Sequence, residues 1–175
     1  RPDQRAVSGG TGILARTGGD RLDDVVVAEI VIREATRDDG DAIGAMWLEL
    51  VAYHRNLDAE LPQAAAGGEH RYVRNIMSRL GDPMTKVLIA EADGRAVGYV
   101  LGLIVDLMPD MFAQEPSGFL ADIYVEADCR RSGIGRALVE NLRAWFEEHG
   151  VTSFDWHVAA RNPEGEAFWR AVGGK

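Results

Sequence analysis

Between Arg130 and Arg136 the chain reads RRSGIGR, and an apolar helical pattern follows at once in ALVENLRAWF. Glycine costs backbone entropy at the mouth of a helix, so two of them there need a reason. The first N–H groups of a helix have no intrahelical acceptor, and the helix dipole adds partial positive charge beside them. Glycine lets the chain turn tightly and lets a ligand reach those donors with no Cβ in the way. The chemistry such a loop can do is phosphate binding. Arg130, Arg131 and Arg136 supply charge that suits several phosphates. No Gly-Lys-Ser/Thr follows, so the loop is not a Walker A motif, and Leu138 stands where a dinucleotide GxGxxG motif needs its third glycine. On the loop alone, an ordinary strand-to-helix turn with solvated arginines explains the residues equally well.

A phosphate loop works only if a strand delivers it and a helix holds its donors still. FLADIYV (119–125) predicts that strand, apolar on both faces except at Asp122 and therefore central in its sheet. The helix behind the loop runs to about His149, with Gly150 as the residue that ends it. Upstream, VVVAEIVIREA (25–35) predicts a strand, and Asp38 or Asp39 caps a helix whose stripe is Ile43, Met46, Trp47, Leu50 and Val51. A second helix follows at 70–80. The segments 85–92 and 96–107 predict strands joined by a DGR hairpin turn, and 108–118 a loop. Downstream, TSFDWHV (152–158) predicts a strand and PEGEAFWRAV (163–172) a helix, with Asn162 as cap and Pro163 in its first turn. The order β-α-α-β-β-β-α-β-α predicts an α/β domain, a mixed sheet with helices packed on it. Residues 1–28 read as a flexible N-terminal extension, and 29–175 as the folded domain.

Composition narrows the partners. The 175 residues suit one domain with a real core, and 46% of them are apolar. A formal charge of -9 argues against nucleic acid, because neutralising phosphates needs an excess of Lys and Arg. No apolar run is long enough to predict a membrane span, and the first residues lack the apolar core of a signal peptide. The single cysteine, Cys129, cannot form an internal disulfide; it fits a cytoplasmic protein and reads as a small packing residue. No cluster of Cys and His suggests a metal.

Taken together, several segments resemble the GNAT superfamily of N-acetyltransferases. RRSGIG matches that family's Arg/Gln-x-x-Gly-x-Gly/Ala pattern, and FLADIYVEADCRRSGIGRALVENL is similar to its strand, pyrophosphate loop and helix. VAARNPEGEAFWRAVGG resembles the segment in which an Asn precedes a helix ending in aromatic-x-x-x-Gly, and IVIREATRDDGDAI resembles the usual opening. The resemblance spans roughly residues 29–174. It implies acetyl-coenzyme A held in a V-shaped gap between the strands 119–125 and 152–158. The loop Arg130, Arg131, Ser132, Gly133, Ile134, Gly135 and Arg136 would hold the pyrophosphate. The backbone of Ile123, Tyr124 and Val125 would pair with the pantetheine arm, and Asn162 and Trp169 would reach or line the cofactor site.

The implied reaction is direct attack of an amine on the thioester, with no metal. An alkylammonium has a pKa near ~10 and must first lose a proton, so a base is useful. Ribosomal-protein-type members place a Glu base five residues before the Asn, and His157 stands there in this chain. Asp122, an acid in an apolar central strand, is the other candidate. Many members place a Tyr acid where this chain has Trp169, whose indole cannot deliver a proton. The acid role then falls to Tyr124, to water, or to no group. The acceptor stays open: a small amine, an antibiotic-like cation, an amino acid or a protein N-terminus. Glu49, Tyr53, His54, Asp58 and Glu60 either face it or simply make a solvated helix face. The family fold closes with further strands after the last helix, which predicts either a longer tail or a homodimer that completes the sheet. Two rivals from other classes are a non-catalytic acyl-coenzyme A-binding regulatory module and a nucleotide-binding protein.

Overall fold

The computed structural model describes residues 29–105 and 116–174. Its elements are β1 (Ile30–Glu34), α1 (Gly40–Leu57), α2 (Gly68–Met77), β2 (Thr85–Ala92), β3 (Arg95–Val105), β4 (Ser117–Val125), α3 (Ile134–Glu148), β5 (Phe154–Trp156) and α4 (Pro163–Ala171). They follow the predicted order. The predicted N-terminal extension and most of the predicted 108–118 loop lie outside the described residues.

The five strands form one mixed sheet in the order β1-β2-β3-β4-β5. The first four pair antiparallel, and β4 pairs parallel with β5. The β2–β3 hairpin turns on Asp93 and Gly94, both with positive φ (50° and 78°), the geometry a two-residue turn needs to match strand twist. Helix α3 buries Ala137, Leu138, Val139, Leu142, Trp145 and Phe146 against one face of the sheet. On the other face Ile43, Met46 and Leu50 of α1 and Ile76 of α2 pack on Val87, Ile89, Tyr99 and Tyr124. The result is three layers, with every apolar helix stripe on the sheet. No helix among the described residues is long and apolar enough to cross a membrane.

Two local details differ from the sequence reading, and a third lies beyond it. Asp39 precedes α1, but its carboxylate turns back to accept from the Thr36 N–H (2.7 Å) and to pair with Arg33 (2.8 Å), so it ties β1 to the helix start instead of capping α1. The Arg33 guanidinium holds the Asp39 carboxyl down at about 2. The strand predicted over 152–158 keeps only Phe154–Trp156, because its partner diverges from it. Finally, β4 does not alternate evenly. A bulge sets Gly102 opposite Leu120 and Leu101 opposite Asp122, skipping Ala121. Leu120 therefore joins the α3 core while Tyr124 joins the α1/α2 side, where Asp122 also meets Tyr72 of α2.

Candidate active site

Strands β4 and β5 pair only from Gly118↔Phe154 to Leu120↔Trp156. Beyond that point β4 runs on to Val125 without β5 beside it. The edge of residues 121–125 that would face β5 is thus left without a ladder partner, and an extended chain can pair there. Val125 leads through a 3-10 turn, Ala127–Cys129, into the glycine loop and α3.

The loop is held in a demanding backbone shape. Arg131 has φ 61° and Gly133 φ 92°, both left-handed, and the former is costly for a residue with a side chain. The Ser132 hydroxyl donates to Cys129 O at 2.6 Å and fixes the turn. Gly133 starts α3 with no side chain as its cap. The first bond from helix to turn runs from Ala137 N–H to Gly133 O (3.0 Å), which leaves the N–H groups of Ile134, Gly135 and Arg136 at the open end without backbone acceptors. Gly135 has a different reason to be glycine. A Cβ there would sit 3.0 Å from the Phe168 ring, so Gly135 lets α4 close against α3.

The arginines divide. Arg131 is exposed at the loop. Arg136 is exposed too and donates to Ala171 O at 2.8 Å. Arg130 folds back: its Nε donates to Val125 O at 3.0 Å, and its guanidinium lies 5.1 Å from the ring of Tyr53 and 5.6 Å from that of Tyr124. Asn162 is buried and caps α4 by accepting from Gly165 N–H at 2.9 Å. Its Oδ1 also accepts from the Tyr53 hydroxyl at 3.0 Å. Both bonds use the oxygen, so the amide hydrogens stay available. Trp169 is buried and stacks on Trp156 with centroids 4.3 Å apart, as part of the core.

Asp122 and Tyr124 lie on the α1/α2 side of β4, about 7 Å apart along the strand. Asp122 is half-buried and accepts from the Tyr72 hydroxyl at 2.7 Å. Burial pushes its pKa up, and the Tyr72 bond opposes this. Tyr124 donates its hydroxyl to Glu49 of α1. Burial and the Glu49 carboxylate push the phenol up to about 12. His157 lies past the end of β5, exposed, with its ring edge-on to Phe119 at 5.3 Å. The structure thus groups Asp122, Tyr124, Glu49, Tyr53, Arg130 and Asn162 around the parting of β4 from β5. From sequence alone Glu49 and Tyr53 stay between two roles, and nothing singles out Tyr72. Among the described residues one trio of metal-ligating types, Glu126, Asp128 and Cys129, lies together on the 3-10 turn, with Glu126 paired to Arg95. A separate large cleft opens behind β5 between Phe154, Trp156, Trp169 and Val172, away from these groups.

Comparison with known proteins agrees with this fold. A family model described as acetyltransferase (GNAT) family matches residues 52–173. An L-2,4-diaminobutyric acid acetyltransferase of Nocardia farcinica (strain IFM 10152) is 34% identical over 85 residues, which take in 49% of this chain and 41% of that protein. The match therefore spans well under half of that relative. The BH1408 protein of Bacillus halodurans, solved as a point mutant, superposes with a TM-score of 0.74 at 18% identity, covering 83% of this chain and 92% of that one. The aminoglycoside N-acetyltransferase AAC(6')-Iy, solved in complex with CoA, superposes with a TM-score of 0.64 at 18% identity, covering 85% and 89%. At such identities the superpositions establish the fold.

Proposed function

The chain belongs to the acetyltransferase (GNAT) family, and from that premise we propose that it transfers an acetyl group from acetyl-coenzyme A to the primary amine of a small acceptor. The observation that carries the proposal is the parting of β4 from β5 beside a helix mouth whose first donors are unused. Those donors, from Ile134 to Arg136, suit a pyrophosphate, and exposed Arg131 adds charge at the same place. The β4 edge at Ile123 to Val125, which lacks a ladder partner and has Val125 O taken by Arg130 Nε, suits the amide-bearing pantetheine arm, and the Asn162 amide hydrogens are available to donate to the same ligand. Acetyl-coenzyme A supplies an activated thioester.

The residues of this chain then handle one proton and one developing charge. The acceptor nitrogen forms a bond to the carbonyl carbon, the C–S bond breaks, and the nitrogen's proton must leave. Asp122 is the base in this reading. Its half-buried site raises its pKa toward the range in which a carboxylate can take a proton from an amine under attack. His157 is exposed, with its ring edge-on to Phe119, and makes no side-chain hydrogen bond among the described residues, so it is not assigned the step. Tyr124 already donates its hydroxyl hydrogen to the Glu49 carboxylate, and burial together with that carboxylate raises its pKa, so it is a poor donor to the departing sulfur. The sulfur leaves as the thiolate, carrying the electron pair of the broken C–S bond, while the base holds the amine's proton. Tyr124 and Glu49 instead border the acceptor, where the Glu49 carboxylate favours a cation. Relatives in sequence named as acetyltransferases of L-2,4-diaminobutyric acid and of aminoglycosides point to the same class, small molecules with more than one ammonium group.

Release of free thiol from acetyl-coenzyme A, measured across a panel of mono- and diamines, tests the proposal. Amine-dependent turnover is expected. Binding of coenzyme A without turnover for any amine would favour the regulatory module instead.

A further inference from the structure

The hydroxyl groups behind Asp122 form a chain with a fixed direction. Tyr72 donates to Asp122 Oδ2 at 2.7 Å, and its oxygen lies 3.1 Å from the hydroxyl of Tyr99 on β3. Each phenol has one hydrogen to give. Tyr72 gives its own to the carboxylate, so Tyr99 must donate to Tyr72. The rings are wedged: Tyr72 stacks on Trp47 of α1 at 5.0 Å and 17°, and stands edge-on to Tyr99 at 6.5 Å and 67°. Tyr99 has no exposed surface and sits among Ile43, Ile89 and Leu101. Phenylalanine would fill that space with no polar atom to satisfy. Two hydroxyls in line behind one carboxylate, Tyr99 fully buried and Tyr72 half-buried, thus serve the carboxylate more than the core.

We infer that Tyr72, with Tyr99 behind it, is a positioning residue of the acetyl-transfer site that keeps the Asp122 carboxylate ionised and aimed at the acceptor amine. The inference rests on the reading of Asp122 as the base. The groups facing Asp122 are Tyr72 from α2 and Tyr99 from β3. Farther along β4 stands Tyr124, with Glu49 of α1 on its hydroxyl and Arg130 against its ring. Beside β4 are Asp155, opposite Phe119, and His157. None of the ion pairs among the described residues involves Asp122. The carboxylate therefore has one donor, the Tyr72 hydroxyl, and no ion-pair partner among the described residues. Removing the Tyr72 hydroxyl leaves the effect of burial unopposed, so Asp122 should hold its proton to higher pH.

The test is the Tyr72→Phe variant, which keeps the stacked ring, with Tyr99→Phe as a second variant should the first not fold. The aspartate carboxyl carbons are titrated by carbon-13 NMR, with Asp122 assigned by Asp122→Asn, and kcat/KM is followed against pH in parallel. In Tyr72→Phe the Asp122 titration and the low-pH limb of kcat/KM should both move up by about one to two pH units, the size of a hydrogen bond to a charged group. Tyr99→Phe should move both the same way by less. A folded Tyr72→Phe with an unmoved Asp122 titration overturns the positioning role, even if its rate falls. Full activity in Asp122→Asn overturns the base assignment, and the positioning role with it.

Discussion

Tyr53 of α1 donates its hydroxyl to Asn162 Oδ1 at 3.0 Å, with Glu164 Oε2 at 3.3 Å, so the helix on the acceptor side is tied to the cap of α4 across the parted strands. Tyr53→Phe leaves the Gly165 N–H on Asn162 and removes only this tie. It should cost about 1 kcal/mol, a fall of roughly 2–4 °C in Tm. Calorimetric melting of the two proteins checks this, and an unchanged Tm would mean the bond contributes nothing.

Asp39 and Arg33 give an acid limb to stability. The Asp39 carboxyl, held at about 2, is ionised in the fold where an unfolded chain near 3.8 would begin to protonate. Its contribution is therefore present above pH 3.8 and lost as pH falls toward 2. Asp39→Asn should cost about 2 kcal/mol at neutral pH, and wild type and variant should converge by about pH 2. Urea melts at several pH values measure the difference; a gap that stays constant with pH would contradict the pairing.

Asp122 predicts the opposite sign. Its pKa is raised, so its ionised form is less stable in the fold than in the unfolded chain, and the penalty is present above its folded pKa. Asp122→Asn should raise Tm at pH 7 to 8 while lowering kcat by about a hundredfold or more, the range of general-base catalysis. His157→Gln should keep most of the rate and the shape of the pH profile. If His157→Gln erases the low-pH limb and Asp122→Asn does not, the roles are reversed.

Glu49 should be visible through its tyrosine. Replacing Glu49 by Gln removes a negative neighbour, which favours the phenolate, so the Tyr124 titration should move down from about 12. Alkaline ultraviolet difference spectra, with Tyr124→Phe to assign the signal, read the shift. The same variant should raise KM for a diamine more than for a monoamine.

The backbone plan was legible because it is written in short-range signals. The stripe of α1, the Asp93–Gly94 turn, Gly150 ending α3 and Asn162 before Pro163 each act within a few residues. The pairing that builds the site acts over longer range. Tyr72 meets Asp122 across 50 positions and Glu49 meets Tyr124 across 75, and no periodicity encodes either contact. The β4 bulge was hidden for a related reason: a period-2 reading puts Leu120 and Asp122 on one face, and only the register with β3 shows them parted. Arg130 and Gly135, read by position as phosphate ligands, each have a second contact that no local pattern encodes: the Arg130 guanidinium lies against two tyrosine rings, and Gly135 admits Phe168.

The central claim is that the open α3 mouth holds the pyrophosphate of coenzyme A. Titration calorimetry of coenzyme A into the wild-type protein and into Arg131→Glu tests it most directly, because Arg131 is exposed and carries no side-chain bond among the described residues. Saturable one-to-one binding in the wild type is expected, with affinity at least tenfold weaker in a variant of unchanged Tm. Equal affinity in the two proteins, or no binding to the wild type, would contradict the account.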